Sequence, residues 1–185
     1  AGIDCAHEGG FYLGAWGSNV DFGDCCDENV EIDVYTGFRG GDAVTWDVGL
    51  VYYTYPGADD IDFPEIYVGL GWEWLSGKVT YSNDFGNSDE SAFYYEANAS
   101  YELPSNFGVN AHVGYSDGDA IDLAYEDSYM DWSVGVTYDW SNFTFGLKYA
   151  DGSDLSLLDG TPDDVNSSEG VAIFSISTSF PWSKE

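Results

Sequence analysis

The sequence from residue 130 to residue 140 reads MDWSVGVTYDW, and its side chains alternate between two chemical classes. One class is apolar or aromatic, and the other is small, acidic or hydroxylated. The apolar set is Met130, Trp132, Val134, Val136, Tyr138 and Trp140. A repeat of two residues is the repeat of a β-strand, whose successive side chains point to opposite faces of the sheet. This stretch therefore predicts a strand with one apolar and one polar face.

The same alternation recurs along most of the chain. The segment VEIDVYTGF (30–38) sets Val30, Ile32 and Val34 against Glu31 and Asp33, and FGVNAHVGYS (107–116) and FTFGLKY (143–149) repeat the pattern. No stretch of comparable length has helical spacing, so we predict an all-β protein. The predicted strands are 1–7, 11–21, 30–39, 43–55, 64–75, 78–83, 91–103, 107–116, 129–140, 143–150 and 170–180.

The connections between these strands alternate between short and long. Short ones are predicted at 8–10, 40–42, 76–77, 104–106 and 141–142, and long ones at 22–29, 56–64, 85–91, 117–128 and 151–170. Tight turns on one side and long loops on the other are typical of outer-membrane barrels, and several strands reach the roughly ten residues that cross a bilayer. The pattern predicts one domain, 1–185, folded as an antiparallel up-and-down transmembrane β-barrel of about 11–12 strands. A soluble β-sandwich with some aromatic rings in its core is the alternative.

The composition limits the function. The chain has 34 acidic and four basic residues, a net charge of −30, so it lacks the lysines and arginines that neutralise nucleic-acid phosphates. It is 44% hydrophobic and 18% aromatic, too apolar for a disordered acidic segment. No apolar run approaches the ~18 residues of a membrane-spanning helix. We therefore expect a folded protein that does not bind nucleic acid.

Several stretches resemble a known family. GFYLGAWGSNVDFG, DVGLVYYTYPGADD, EIYVGLGW, AHVGYSDGD and DWSVGVTYDWSNFTFGLKYAD, followed by FSISTSF, are similar in order to the TorF family of proteobacterial porin-like proteins. The resemblance implies an outer-membrane β-barrel. Members usually begin with a further strand, absent here, and such barrels tend to end on an aromatic residue, whereas Phe180 is followed by PWSKE.

Strand parity points to the same missing strand. Single-chain bacterial barrels have an even number of strands, and an open edge leaves backbone groups unpaired in lipid. We therefore expect a barrel of about twelve strands whose first strand is missing from this sequence. A neighbouring molecule that adds a strand is the other solution.

If the apolar faces meet lipid, the opposite faces line the interior. By parity this interior receives a set of charged residues: Glu31, Asp33, Arg39, Asp47, Glu65, Glu73, Lys78, Glu96, Asp131, Asp139 and Lys148. Unpaired charges in a dry core cost several kcal/mol each, so we expect a hydrated and acidic interior. The sequence thus predicts a narrow, cation-leaning passive diffusion channel for small solutes, embedded in outer-membrane lipid.

Two other functions stay open beside the channel. The barrel could be plugged, with acids that are only hydrated or paired with Arg39, Lys78 and Lys148. It could also be a structural protein that polymerises with itself, by strand addition or an intermolecular disulfide, without transport. No enzyme is predicted: with two histidines and no HExxH motif a zinc site is not expected. Glu31 and Asp33 are not favoured as a glycosidase pair, because two acids in i, i+2 positions on one strand are more often simply part of a lumen face. A hydrolase built on His112 is not favoured either, because nothing in the sequence marks a serine beside it on an adjacent strand.

No cofactor is predicted. Acidic residues in the loops could hold Ca²⁺, although no loop matches the twelve-residue EF-hand pattern. These residues are Asp59, Asp60, Asp62, Asp117, Asp119, Asp163 and Asp164.

Three cysteines, Cys5, Cys25 and Cys26, leave at least one unpaired within the chain. Hairpin register sets Cys5 opposite Leu13, roughly 40 Å along a strand from Cys25, so a Cys5–Cys25 bridge is not expected. We predict an intermolecular disulfide or a vicinal Cys25–Cys26 bond, with free thiols as the alternative.

Overall fold

The computed structural model describes residues 1–20, 30–57, 61–153 and 170–178. Their eleven strands form one antiparallel sheet in which each strand pairs with the next along the chain. The strands are β1 Gly2–Ala6, β2 Phe11–Asn19, β3 Val30–Gly41, β4 Val44–Thr54, β5 Phe63–Trp72, β6 Leu75–Ser82, β7 Ala92–Leu103, β8 Phe107–Asp117, β9 Tyr129–Trp140, β10 Phe143–Ser153 and β11 Val171–Thr178. The predicted all-β, up-and-down fold is confirmed.

Short connections all lie at one end of the sheet, which we call the short-turn end; the opposite end is the long-loop end. The turn between β5 and β6 differs from the prediction. It was predicted at 76–77, but Trp72 pairs with Leu75, and the turn is formed by Glu73 and Trp74. Glu73 takes a left-handed conformation there, with φ of 52°. The predicted turn residue Gly77 lies within β6 opposite Leu70.

The two faces of the sheet differ sharply in chemistry. One face carries large apolar side chains that are exposed along the strands, such as Val34 at 44%, Leu70 at 58% and Val134 at 50%. The other face carries most of the charged and hydrogen-bonding side chains. A cavity on this second face is lined by residues from β4 to β9, including Tyr53 and Asp131. The sheet therefore curls around its polar face, which we call the inner face; the apolar one is the outer face.

A short helix, α1 (Asp119–Tyr125), lies in the connection between β8 and β9. The sequence analysis predicted only a long loop there. Ala120 and Ile121 are each 3% exposed and pack with Ala92 of β7. The helix thus forms because two apolar residues in an acidic loop find a buried contact, a tertiary effect that local spacing does not reveal.

The first and last strands are edges within the described residues, where β1 pairs with β2 and β11 with β10. Both run from the long-loop end to the short-turn end, because neighbouring strands are antiparallel and all odd-numbered strands therefore share one direction. Antiparallel closure would therefore need one more strand between them. The twelfth strand stays a prediction. In the described part of the chain, no helix is both long and apolar enough to cross a membrane.

Candidate functional site

Most of the predicted interior residues lie on the inner face of the sheet. Strand pairing sets Arg39 opposite Asp47, Asp47 opposite Gly69, Gly69 opposite Lys78, and Lys78 opposite Glu96. The same row continues through Gly114 to Asp131. Register and parity also place Glu31, Asp33, Glu65, Asp139 and Lys148 on this face. Glu73 is the exception, since it lies in the turn at the short-turn end.

Inward glycines let large polar side chains lie flat along this wall. Tyr12 lies over Gly37 and Tyr67 lies over Gly49, and their two hydroxyls meet in a hydrogen bond. Tyr12 Oη also donates to Asp47 Oδ1 at 2.6 Å. A residue with a Cβ at either glycine would occupy the space of the tyrosine hydroxyl. The glycines thus keep these rings against the sheet and out of the interior.

Replacing Gly37 by alanine is expected to destabilise the sheet by about 1–3 kcal/mol, the cost of overpacking. The new Cβ would lie 2.5 Å from the backbone oxygen of Val48, so the β3–β4 pairing would have to shift. Gly69→Ala is the matched control on the same face, because its Cβ would meet nothing nearer than 3.7 Å. Urea unfolding in detergent micelles would measure both variants. Equal midpoints for the two would contradict this account of the glycines.

A polar cluster occupies the inner face of β7, β8 and β9. His112 Nδ1 pairs with Asn98 Oδ1 at 2.7 Å, and His112 Nε2 with Asp131 Oδ1 at 2.9 Å. Tyr94 Oη donates to Asp131 Oδ2 at 3.0 Å. Strand pairing sets Ser133 opposite His112, a neighbour that the sequence analysis did not identify. Both ring nitrogens of His112 are already engaged by other residues, so this arrangement does not provide a serine nucleophile with a histidine base.

Three acids of the inner face lie toward the long-loop end. Tyr55 Oη donates to Glu31 Oε2 at 2.8 Å, and Tyr53 Oη donates to Glu65 Oε2 at 3.0 Å. Burial raises the pKa of the Tyr55 phenol, which follows β4, and so keeps it a neutral donor. Asp33 Oδ1 is buried and receives no hydrogen bond within the described residues.

Apolar side chains cover the inner face at the long-loop end of β4–β9. We call this group the mouth cluster, and it consists of Tyr55, Phe63, Phe85, Ala92, Ala120 and Ile121. Phe85 joins its two halves, with its ring 4.9 Å from that of Phe63 and with contacts to the α1 side. A cavity of about 520 Å³ adjoins the cluster, and its wall includes Ile121 and Phe85 beside Glu65, Lys78 and Asp131.

The remaining predicted sites fall partly outside the described residues. Cys5 is an exposed free thiol opposite Leu13, as the register predicted, whereas Cys25 and Cys26 lie outside the described residues. The same is true of Asp59, Asp60, Asp163 and Asp164. Among residues that the structure does describe, no group of three His, Cys, Asp or Glu could hold a metal ion. The predicted disulfide and loop calcium therefore stay predictions.

Comparisons with known proteins agree on a family and a fold. Residues 1–180 match the model of a family described as bacterial protein of unknown function, Gcw_chp. No curated protein sequence matches the chain. The NanC porin structure is similar over 97% of this chain and 91% of its own, at 13% identity and a TM-score of 0.66.

Two other porin structures share the fold. The anion-selective porin from Comamonas acidovorans has 18% identity and a TM-score of 0.53, and a porin refined at 1.8 Å has 16% and 0.52. Each is matched over 97% of this chain, which spans 58% and 60% of their respective lengths. At these identities the likeness concerns the fold alone: a porin-like, barrel-like sheet.

Proposed function

The chain belongs to the Gcw_chp family of bacterial proteins of unknown function, and we propose that it is an outer-membrane porin: a narrow, cation-leaning passive channel for small solutes. It acts as one domain and catalyses no reaction. The likeness to porin structures supports this proposal at the level of the fold. The resemblance to the TorF family agrees with it, although the matching family model is Gcw_chp.

One observation carries the proposal: the usual distribution of side chains is inverted. Large apolar residues are exposed over the outer face of the whole sheet, for example Leu50 at 45%, Ile66 at 58% and Phe174 at 66%. A soluble protein rarely exposes a contiguous apolar patch of more than a few hundred Å². Charged and hydrogen-bonding groups instead face the concave side. Lipid outside and water inside would satisfy both faces.

The charge of the inner face supports cation preference. Seven predicted interior acids lie on this face against three bases, and the acids are Glu31, Asp33, Asp47, Glu65, Glu96, Asp131 and Asp139. An acidic passage concentrates cations and repels anions.

We expect the triple variant Glu31→Gln, Asp33→Asn, Glu65→Gln to lower the permeability ratio of K⁺ to Cl⁻ by about threefold. A unit charge about 7 Å from an ion in water contributes about 0.6 kcal/mol, and salt screening reduces the summed effect. Reversal potentials in planar bilayers under a KCl gradient would measure the ratio.

The matched control removes three exposed charges from the helix region instead: Asp119→Asn, Asp122→Asn, Glu126→Gln. It should leave the ratio nearly unchanged. Equal shifts in both triple variants would show that net charge, and not the inner face, sets selectivity. A folded, bilayer-inserted wild type that carries no current would overturn the proposed channel, and the alternative of a structural polymer would then be tested by sedimentation.

A further inference from the structure

A second inner-face cavity lies near the short-turn end, away from the mouth cluster. Its volume is about 450 Å³, and Arg39, Asp47, Lys78 and Glu96 all line it. Five glycines also line it, among them the inward Gly69 and Gly71. The cavity thus combines four charged groups of both signs with room for a small molecule.

The charges in this cavity alternate in sign along one row of the sheet. Arg39 is directly opposite Asp47, and Lys78 is directly opposite Glu96, with Gly69 between the two pairs. Residues that face each other on antiparallel strands have Cα atoms about 4.5–5.5 Å apart. The cavity therefore contains two neighbouring pairs of opposite charge, and its four charged groups sum to zero.

The two cations differ in how they are held. Lys78 Nζ lies 3.4 Å from Glu96 Oε1 and 5.7 Å from the centre of the Tyr67 ring. The guanidinium carbon of Arg39 lies 5.3 Å from the centre of the Tyr12 ring, and no carboxylate lies within ion-pairing distance of Arg39 in the described part of the chain. Its planar guanidinium can donate two parallel hydrogen bonds to the two oxygens of one carboxylate.

The acid opposite Arg39 has acceptor capacity to spare. Asp47 accepts one hydrogen bond at Oδ1, from Tyr12, whereas a carboxylate offers about four acceptor sites. A ligand that carried only a negative charge would bind Arg39 but be repelled by Asp47 and Glu96. A ligand that carried only a positive charge would bind Asp47 but be repelled by Arg39 and Lys78. Only a molecule with both charges close together matches neighbouring groups of opposite sign.

We propose that this cavity is a binding subsite for small zwitterions of the amino-acid type. The carboxylate binds Arg39 and the ammonium group binds Asp47 on the adjacent strand. The subsite rests on the proposed channel function and refines it by naming a solute class. With such a subsite, a molecule that carries a carboxylate would be admitted even though the proposed channel disfavours free anions.

Planar-bilayer recordings in KCl with added glycine, acetate or ethylammonium would test the subsite. Glycine is expected to reduce the KCl current at concentrations about threefold below those needed for acetate or ethylammonium, since only glycine forms both charge contacts and a partly solvated contact adds modestly to affinity. Arg39→Gln should abolish this preference for glycine. Lys148→Gln, a change to another inner-face base that lines a different cavity, should retain it.

The outcomes separate the subsite from the channel. A KCl current that glycine affects no more than acetate or ethylammonium overturns the subsite and leaves the channel standing. Absence of any KCl current overturns the channel instead. Stronger block by acetate would identify an anion site, and stronger block by ethylammonium a cation site; either refutes the zwitterion assignment. The comparison of solutes on the wild type holds even if Arg39→Gln fails to fold.

Discussion

Replacing Leu50 by arginine should strongly destabilise the protein folded in a bilayer, whereas the same change at the next residue, Val51, should be tolerated. Leu50 lies near the middle of β4, on the outer face, between Thr36 and Ile66 of the neighbouring strands. An arginine on the lipid face of a barrel costs about 2–4 kcal/mol at the bilayer midplane. This penalty is a large part of the stability of a typical domain.

Val51 provides the matched control because it has the opposite orientation on the same strand. Its cross-strand neighbours are Tyr35 and Glu65, both on the inner face. An arginine there would lie in a hydrated interior beside a carboxylate, so the cost should be small. Urea titration of the protein folded into lipid vesicles would measure the difference. If the two variants lost equal stability, or if the wild type stayed soluble without detergent, the lipid-facing assignment would be wrong.

The faces of the sheet could be predicted from sequence because side chains alternate along a strand, so that only one choice remains: which of the two alternating sets faces outward. Once Val30, Ile32 and Val34 are assigned to one face, Glu31 and Asp33 must occupy the other. The same parity placed Asp47, Lys78 and Glu96 on the inner face. Parity fails only where the strand ends, and Glu73 shows this: the serine and glycine at 76–77 suggested a turn, yet the chain turns earlier, at Glu73 itself.

The contacts within the inner face could not be predicted, because they run diagonally and across more than one strand. Tyr12 of β2 reaches Tyr67 of β5, and Tyr94 of β7 reaches Asp131 of β9. These contacts depend on how strongly the sheet curls, which alternation does not specify. A signal does exist in the sequence: glycines stand at inward positions such as Gly37, Gly49 and Gly114. Each is covered by a tyrosine hydroxyl.

The mouth cluster could not be predicted from the sequence for a different reason. Phe85 and Ile121 lie in acidic connections that were predicted only as long loops, and nothing local shows that they meet. In the structure they form a joint apolar wall above the inner-face cavity that Glu65, Lys78 and Asp131 also line. A narrow apolar passage excludes water and ions without any steric block, because water leaves it spontaneously. For the proposed channel we therefore expect the mouth cluster to limit passage.

A polar residue at this wall should open the passage, so we expect Ile121→Asn to raise single-channel conductance by about twofold or more. Asparagine is smaller than isoleucine as well as polar, so the gain would combine wetting of the wall with some widening. Leu123→Asn is the matched control, since Leu123 belongs to the same helix but is 61% exposed. Planar-bilayer recordings of both variants would decide the matter. Unchanged conductance in Ile121→Asn would place the limiting region elsewhere, whereas a gain also seen in Leu123→Asn would show that loosening α1 is enough.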